Sequence, residues 1–173
     1  MSEIILVVIA LLLLAGAALG ATKTGVFNTM DTAQMNQWNN LCIAVAEESQ
    51  NLSPQEVKAI IGIESSGNPN ASNPNDPSYG LMGIEFWVGQ QYGGASQVSD
   101  LYTPALNVTA GSGFLDYLKG KYASRFPLGQ GSGWVQMYNL GETKFLAGER
   151  VPDYESKFIS YSSQFASDFA SGS

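Results

Sequence analysis

Between Glu3 and Lys23 the chain carries no charged side chain, and its run IILVVIALLLLAGAALGA is almost wholly apolar. Such a run is close to the roughly 20 residues that cross a bilayer as a helix, and it lacks the polar stripe of a helix lying on a soluble core. The sequence therefore divides into a predicted transmembrane anchor over residues 1–23, touching lipid through residues 4–22, a linker over 24–30 and one domain over 31–173. A cleavable signal is the competing reading, because the run ends in the small residues AALGA. Against it, Met1-Ser2-Glu3 puts an acid where a signal carries Lys or Arg. Lys23 just after the run favours the cytoplasmic side for the C-terminal domain, on the strength of one lysine.

Composition narrows the domain's chemistry. The chain is 45% apolar, enough for one real core, and carries 8 basic against 15 acidic residues, net −7, with no Lys/Arg run. Such a chain cannot neutralise a row of phosphates, so nucleic acid is excluded as a partner. There is no histidine and one cysteine, Cys42. His-based triads, Cys-His nucleophiles, Cys/His zinc sites and internal disulfides are thereby removed, and no metal or cofactor is expected. Any acid-base chemistry falls to Asp, Glu, Tyr or Lys.

Apolar spacing in the domain is helical nearly throughout, which predicts an all-α fold with five to seven helices and at most a small hairpin. A helix over Asp31 to Gln50, capped by Asp31 or Thr32, aligns Met35, Trp38, Leu41 or Cys42 and Val45, making Cys42 a core thiol. Ser53-Pro54-Gln55-Glu56 combines an N-cap, a first-turn proline and the third-position Glu of a capping box, and this helix should end at Gly67. NPNASNPNDPSYG then reads as an ordered loop covering something. Further helices are expected over Leu81 to Tyr92, from Thr103-Pro104 to Tyr122, around Trp134 to Leu140, and from Pro152. The last carries Tyr154, Phe158, Tyr161, Phe165 and Phe169, an aromatic stripe of the kind that packs a core.

One residue is wrong for a core. Glu64 follows Val57, Ile60 and Ile61 along the apolar face of the helix ending at Gly67. Removal from water raises a carboxyl pKa, and a Glu kept protonated near neutral pH is what a general acid for glycoside cleavage requires. The bland alternative is that Glu64 reaches solvent at the last helical turn.

The segments around Glu64 are familiar. Ala59-Ile60-Ile61-Gly62-Ile63-Glu64-Ser65-Ser66-Gly67-Asn68-Pro69, then Gly80-Leu81-Met82-Gly83-Ile84, then Tyr138-Asn139-Leu140-Gly141 resemble, in order, the soluble lytic transglycosylases, relatives of goose-type lysozyme. Between them, Leu101-Tyr102 through Pro104, Asn107-Val108 and Ala110-Gly111 is similar to that family's D-L-x-x-P-x-x-N-I-x-A-G segment. The resemblance covers roughly Leu52 to Phe158 and implies a lysozyme-like helical domain acting on peptidoglycan glycan strands. Carried over, it implies that Glu64 protonates the oxygen between N-acetylmuramic acid and N-acetylglucosamine, then serves as base on the C6 hydroxyl to give a 1,6-anhydro product. Most glycosidases use two carboxylates; here the substrate's own N-acetyl group is implied in place of the second. Ser65, Gly80, Leu81, Met82, Tyr138 and Asn139 are implied at the substrate, with the Tyr138 hydroxyl near Glu64. Two positions depart from the pattern: Gly83 stands where the family carries Gln, with Glu85 or Gln90 as substitutes for the lost polar contact, and Met137 stands where it carries Ala.

Other readings stay open. Asp76, Asp100 or Asp116 could be the second acid of a hydrolytic lysozyme, although Asp76 sits in the Pro/Asn loop, Asp100 resembles a turn residue and Asp116 is expected to face solvent. Trp87, Tyr92 and Tyr102 could stack on sugars or fill the core. Asn51, Asn70 and Asn107 begin Asn-x-Ser/Thr sequons, a chance pattern in an Asn-rich chain. A catalytically inactive, glycan-binding virion protein is the reading from another class. The small domain without added wall-binding modules, behind an anchor without a basic start, favours a virus-encoded member, with virion membrane or capsid proteins as partners.

Overall fold

Helix starts follow the capping signals closely in the computed structural model, which describes residues 31–170. Asp31 accepts from the N–H groups of Ala33 and Gln34 and opens α1 (Thr32–Asn36). After α2 (Asn39–Glu47) comes α3 (Pro54–Ser65), where the N–H and hydroxyl of Ser53 both reach Glu56 at 2.9 Å. Two short antiparallel strands follow, β1 (Ser78–Tyr79) and β2 (Ile84–Glu85). α4 (Phe86–Val88) runs into a π-helical turn at Gly89–Gly93, and a 3-10 turn at Val98–Tyr102 leads to α5 (Pro104–Tyr122). α6 (Gln136–Leu140), α7 (Glu142–Leu146) and α8 (Pro152–Phe165) follow, with a closing 3-10 turn at Ala166–Phe169. The described residues are thus mostly helical with one small hairpin, as expected.

α3 is the central helix. Val57, Ala59, Ile60 and Ile61 have no exposed surface, and the helix packs chiefly against α8 and then α2. Burying each of the larger side chains contributes about 1.5–3 kcal/mol, so the placement of α3, and with it Glu64, is strongly determined. The α8 stripe is core at Tyr154, Phe158 and Phe165, and Phe158 meets Trp134 edge-on at 5.9 Å. Cys42 is fully buried, which pushes its thiol up to about 12 and leaves it protonated and unreactive.

Four expectations are corrected. The helix over Asp31 to Gln50 is two helices, broken at Gln37 and Trp38 by long-range bonds. The Trp38 indole N–H donates to Gly67 O at 3.0 Å, and Asn36 and Asn39 both turn inward to accept from the buried Lys58 ammonium at 2.7 Å. Lys58 also pairs with Asp168 at 2.6 Å, so a single cation holds α3, the α1–α2 break and the C-terminal turn together. The helix over Leu81 to Tyr92 starts only at Phe86, because Gly80 and Gly83 have φ of +76° and +57° and form the hairpin turn instead. Asp116 does not face solvent freely: it is half-buried and accepts from the Ser49 hydroxyl and the Asn51 N–H at 2.6 and 2.9 Å. Among the described residues there are eight α-helical segments, more than the expected five to seven, since Gly141 also splits α6 from α7.

The predicted anchor and linker lie outside the described residues. Among the described residues no helix is long and apolar enough to cross a membrane.

Candidate active site

The hairpin turn between β1 and β2 is built against the end of α3 by side chains that use up their polar groups in doing so. Asn107, fully buried on α5, donates to Tyr79 O and Leu101 O at 2.8 and 2.7 Å and accepts from Met82 N–H at 2.8 Å. That clamp explains Gly80, where a β-carbon would stand 2.2 Å from Asn107 Nδ2 and 2.4 Å from Leu101 O. It also removes Asn107 as a glycan acceptor. Ser65 donates to Leu81 O at 2.7 Å and accepts from Gly67 N–H, tying the end of α3 to the same turn. Leu81 and Met82 are fully buried. Ser65, Gly80, Leu81 and Met82 therefore form the scaffold behind the site, and their side chains do not line the cleft.

Glu64 lies half-buried where the apolar spacing of α3 placed it. Its Oε1 accepts from the Tyr154 hydroxyl at 2.6 Å. Its Oε2 accepts no hydrogen bond from the described residues, and Gly83 passes so close that a β-carbon there would lie 2.7 Å from it. The departure at Gly83 thus falls where the backbone passes beside this carboxyl. Burial pushes Glu64 up to about 7; the Tyr154 bond pulls it back in part, and the charge of Asp76 adds to the rise. A carboxyl poised there can both give and take a proton near neutral pH.

Beside it runs a cleft of about 150 Å3. Its lining comes from Asp76 of the loop, from Gly83, Ile84, Glu85, Trp87 and Val88 of the hairpin and α4, from Tyr138, Asn139, Leu140, Gly141 and Lys144 of α6 and α7, and from Phe114 of α5, which touches both Trp87 and Tyr138. Glu64 is not itself part of this lining and borders the cleft through Gly83. Of the side chains expected at the substrate, Tyr138 and Asn139 are present. The loop expected to cover something supplies Asp76 at the rim. Trp87 is 44% exposed, lines the cleft and stands edge-on to Phe114 at 5.3 Å, whereas Tyr102 packs on Tyr79 and Tyr92 on Phe114 outside the lining. Glu85 lines the cleft and Gln90 does not. Asp100 accepts from Ser96 and Gln97 and caps its 3-10 turn. Among the described residues no cluster of three or more acidic or thiol side chains could hold a metal ion.

The Tyr138 hydroxyl stays near enough to Glu64 to feel its charge, but it is not the donor to the carboxyl. Tyr138 donates instead to Met82 O at 3.0 Å, while Tyr154, read from sequence as core, reaches the carboxyl. The available signal was chemical: a buried tyrosine opening a stripe otherwise rich in Phe needs a partner for its hydroxyl. Tyr154→Phe is expected to lower turnover by roughly ten-fold or more, by the scale of single positioned donors. Because the lost bond favours the ionised form, the Glu64 pKa rises above about 7 and the alkaline limb of the rate profile moves up. Tyr138→Phe should leave that limb in place and cost about 1 kcal/mol of stability for its bond to Met82. A kcat–pH profile of both variants checks this, and equal profiles would remove Tyr154 from the site.

Comparison with known proteins identifies the family of this domain. The transglycosylase SLT domain matches residues 41–156, a span that contains Glu64, Tyr138 and Tyr154. Over 97 residues the chain is 28% identical to the membrane-bound lytic murein transglycosylase E of Buchnera aphidicola subsp. Acyrthosiphon pisum (strain APS). That alignment covers 52% of this chain and 43% of the relative, so the chain spans less than half of the relative's length.

Proposed function

The chain belongs to the transglycosylase SLT domain family, and from that premise we propose that it is a peptidoglycan lytic transglycosylase with Glu64 as its single catalytic acid. The observation that carries this reading is the Glu64 carboxyl, raised to about 7 with one oxygen held by Tyr154 and the other left without a hydrogen bond beside a cleft. Protonated Glu64 gives its proton to the glycosidic oxygen as the bond to muramic acid C1 breaks. The substrate's N-acetyl group stabilises the electron-poor C1. The C6 hydroxyl then attacks C1 while the Glu64 carboxylate takes the hydroxyl proton, which restores the acid and closes a 1,6-anhydro ring without consuming water. Tyr138 and Asn139 face the sugar from α6, and Trp87 offers an apolar platform from the other side.

A second reading has one observation in its favour. Asp76 lines the same cleft and its charge acts on Glu64, so it could activate a water and make the enzyme a hydrolytic muramidase. Mass analysis of muropeptides from purified murein sacculi separates the two, because anhydro-ended products are lighter by one water than reducing ones. Anhydro products are expected from the parent and equally from Asp76→Asn. Reducing ends that fall with Asp76→Asn would favour hydrolysis, and sacculi left uncut would remove both enzymatic readings in favour of a glycan-binding protein.

We further propose that residues 4–22 anchor the enzyme in a bilayer with the domain acting on the adjacent wall. The uncharged apolar run supports this, as does the membrane-bound description of the Buchnera relative. Local wall opening, by a virus-encoded enzyme during entry or by a cell remodelling its envelope, is the role such an anchored domain fits.

A further inference from the structure

The cleft is lined by three charged groups. Asp76 and Glu85 come from the loop and β2, and Lys144 is exposed in the last turn of α7. Lys144 makes no ion pair among the described residues, whereas Lys58, Lys119 and Lys121 are each paired with a carboxylate. Arg150 is spent on the carbonyls of Phe145 and Glu149 at 2.6 Å. In a chain of net charge −7, Lys144 is the one cation among the described residues that lines the cleft, and it lies five residues after Asn139. The two sugars of a murein strand differ in one respect that a cation can read. Muramic acid carries a lactyl ether at O3 that ends in a carboxylate, or in a stem peptide bearing carboxylates, and N-acetylglucosamine carries neither.

We propose that Lys144 is the specificity-determining residue for that acidic substituent, receiving its carboxylate and so selecting muramic-acid-containing strands over neutral chitin-type glycan. This rests on the reading of the cleft as a murein site. A solvent-exposed ion pair is worth up to about ten-fold in affinity and is weakened by salt, so its signature is in KM and ionic strength more than in turnover.

The test compares the parent with Lys144→Ala and Lys144→Arg on two sets of purified strands, peptide-bearing and amidase-stripped. Neutral chito-oligosaccharide is titrated as a competitive inhibitor. Lys144→Ala is expected to raise KM roughly five-fold on at least one set and to flatten the salt dependence of KM. It should leave the inhibition constant of the neutral sugar unchanged, and Lys144→Arg should restore most of the loss. An effect confined to peptide-bearing strands identifies the stem peptide as the source of the carboxylate, and one that persists on stripped strands identifies the lactyl group. An unchanged KM on both sets, or an equal change for the neutral sugar, overturns the proposal while leaving the transglycosylase reading in place. A parent that neither cleaves nor binds muramyl strands overturns both.

Discussion

Glu64→Gln is expected to remove murein cleavage while the domain stays folded, with a loss beyond the roughly 100-fold of an ordinary positioned acid-base group, because one carboxyl carries both proton transfers. Gln is nearly isosteric, and its amide oxygen can still accept from the Tyr154 hydroxyl, so the loss reports proton chemistry and not geometry. The raised pKa supplies a second readout. The folded carboxyl titrates near 7 and the unfolded one near 4.5, so the parent loses stability as pH rises between those values, where the unfolded chain ionises more readily. Gln cannot ionise. The variant should therefore melt above the parent at pH 8 and together with it below about pH 4.5. Sacculus digestion at the parent rate would remove Glu64 from the mechanism, and coincident melting at pH 8 would mean that its carboxyl is not desolvated.

Glu155→Ala is expected to be strongly destabilising, at about 3–5 kcal/mol, because several hydrogen bonds to a charged, buried acceptor are lost at about 1.5–3 kcal/mol each. Glu155 is 2% exposed and accepts from Gly129 N–H at 2.6 Å, Gly133 N–H at 2.8 Å and Gln136 Nε2 at 2.7 Å. Gln136 in turn accepts from Val151 N–H at 2.6 Å. This network closes the Gly-rich loop onto α8 and fixes the start of both α6 and α8, which carry Tyr138 and Tyr154. Alanine would leave the Gly133 N–H and the Gln136 amide buried without an acceptor. Burial alone would raise this carboxyl, but the donors from Gly133, Gln136 and Gly129 outweigh it and hold Glu155 below the ordinary carboxylate value. A depressed pKa contributes stability above the unfolded value that is lost as pH falls through the folded one. The gap between parent and variant in urea denaturation should be full at pH 7 and shrink below about pH 4. Parent-like midpoints at pH 7 would mean that the loop is held by something else.

The short-range features of this protein were legible because they act through near neighbours. Ser53, Pro54 and Glu56 satisfy the first N–H groups of α3 within one turn, and Val57, Ile60, Ile61 and Glu64 share a face because the helix repeats every 3.6 residues. Asp76, in a turn-forming loop, was legible as one of three possible second acids, but nothing local says which of the three reaches the cleft. Gly83 stood out as a departure, but the closeness of its backbone to the carboxyl was not readable from the motif.

The helical class, the caps and the presence of one misplaced carboxylate on an apolar face follow from residue spacing and the cost of burying charge. Which tyrosine serves that carboxylate, where the first helix breaks and which cation enters the cleft depend on how the helices pack. The Tyr154 hydroxyl reaches Glu64 across 90 residues of chain, the Trp38 indole reaches Gly67 across 29, and Tyr138 is drawn to Met82 across 56. A hydrogen bond requires placement to a few tenths of an ångström, and between residues so far apart that placement comes from how α3, α5 and α8 pack, a property of the whole core that no local pattern carries.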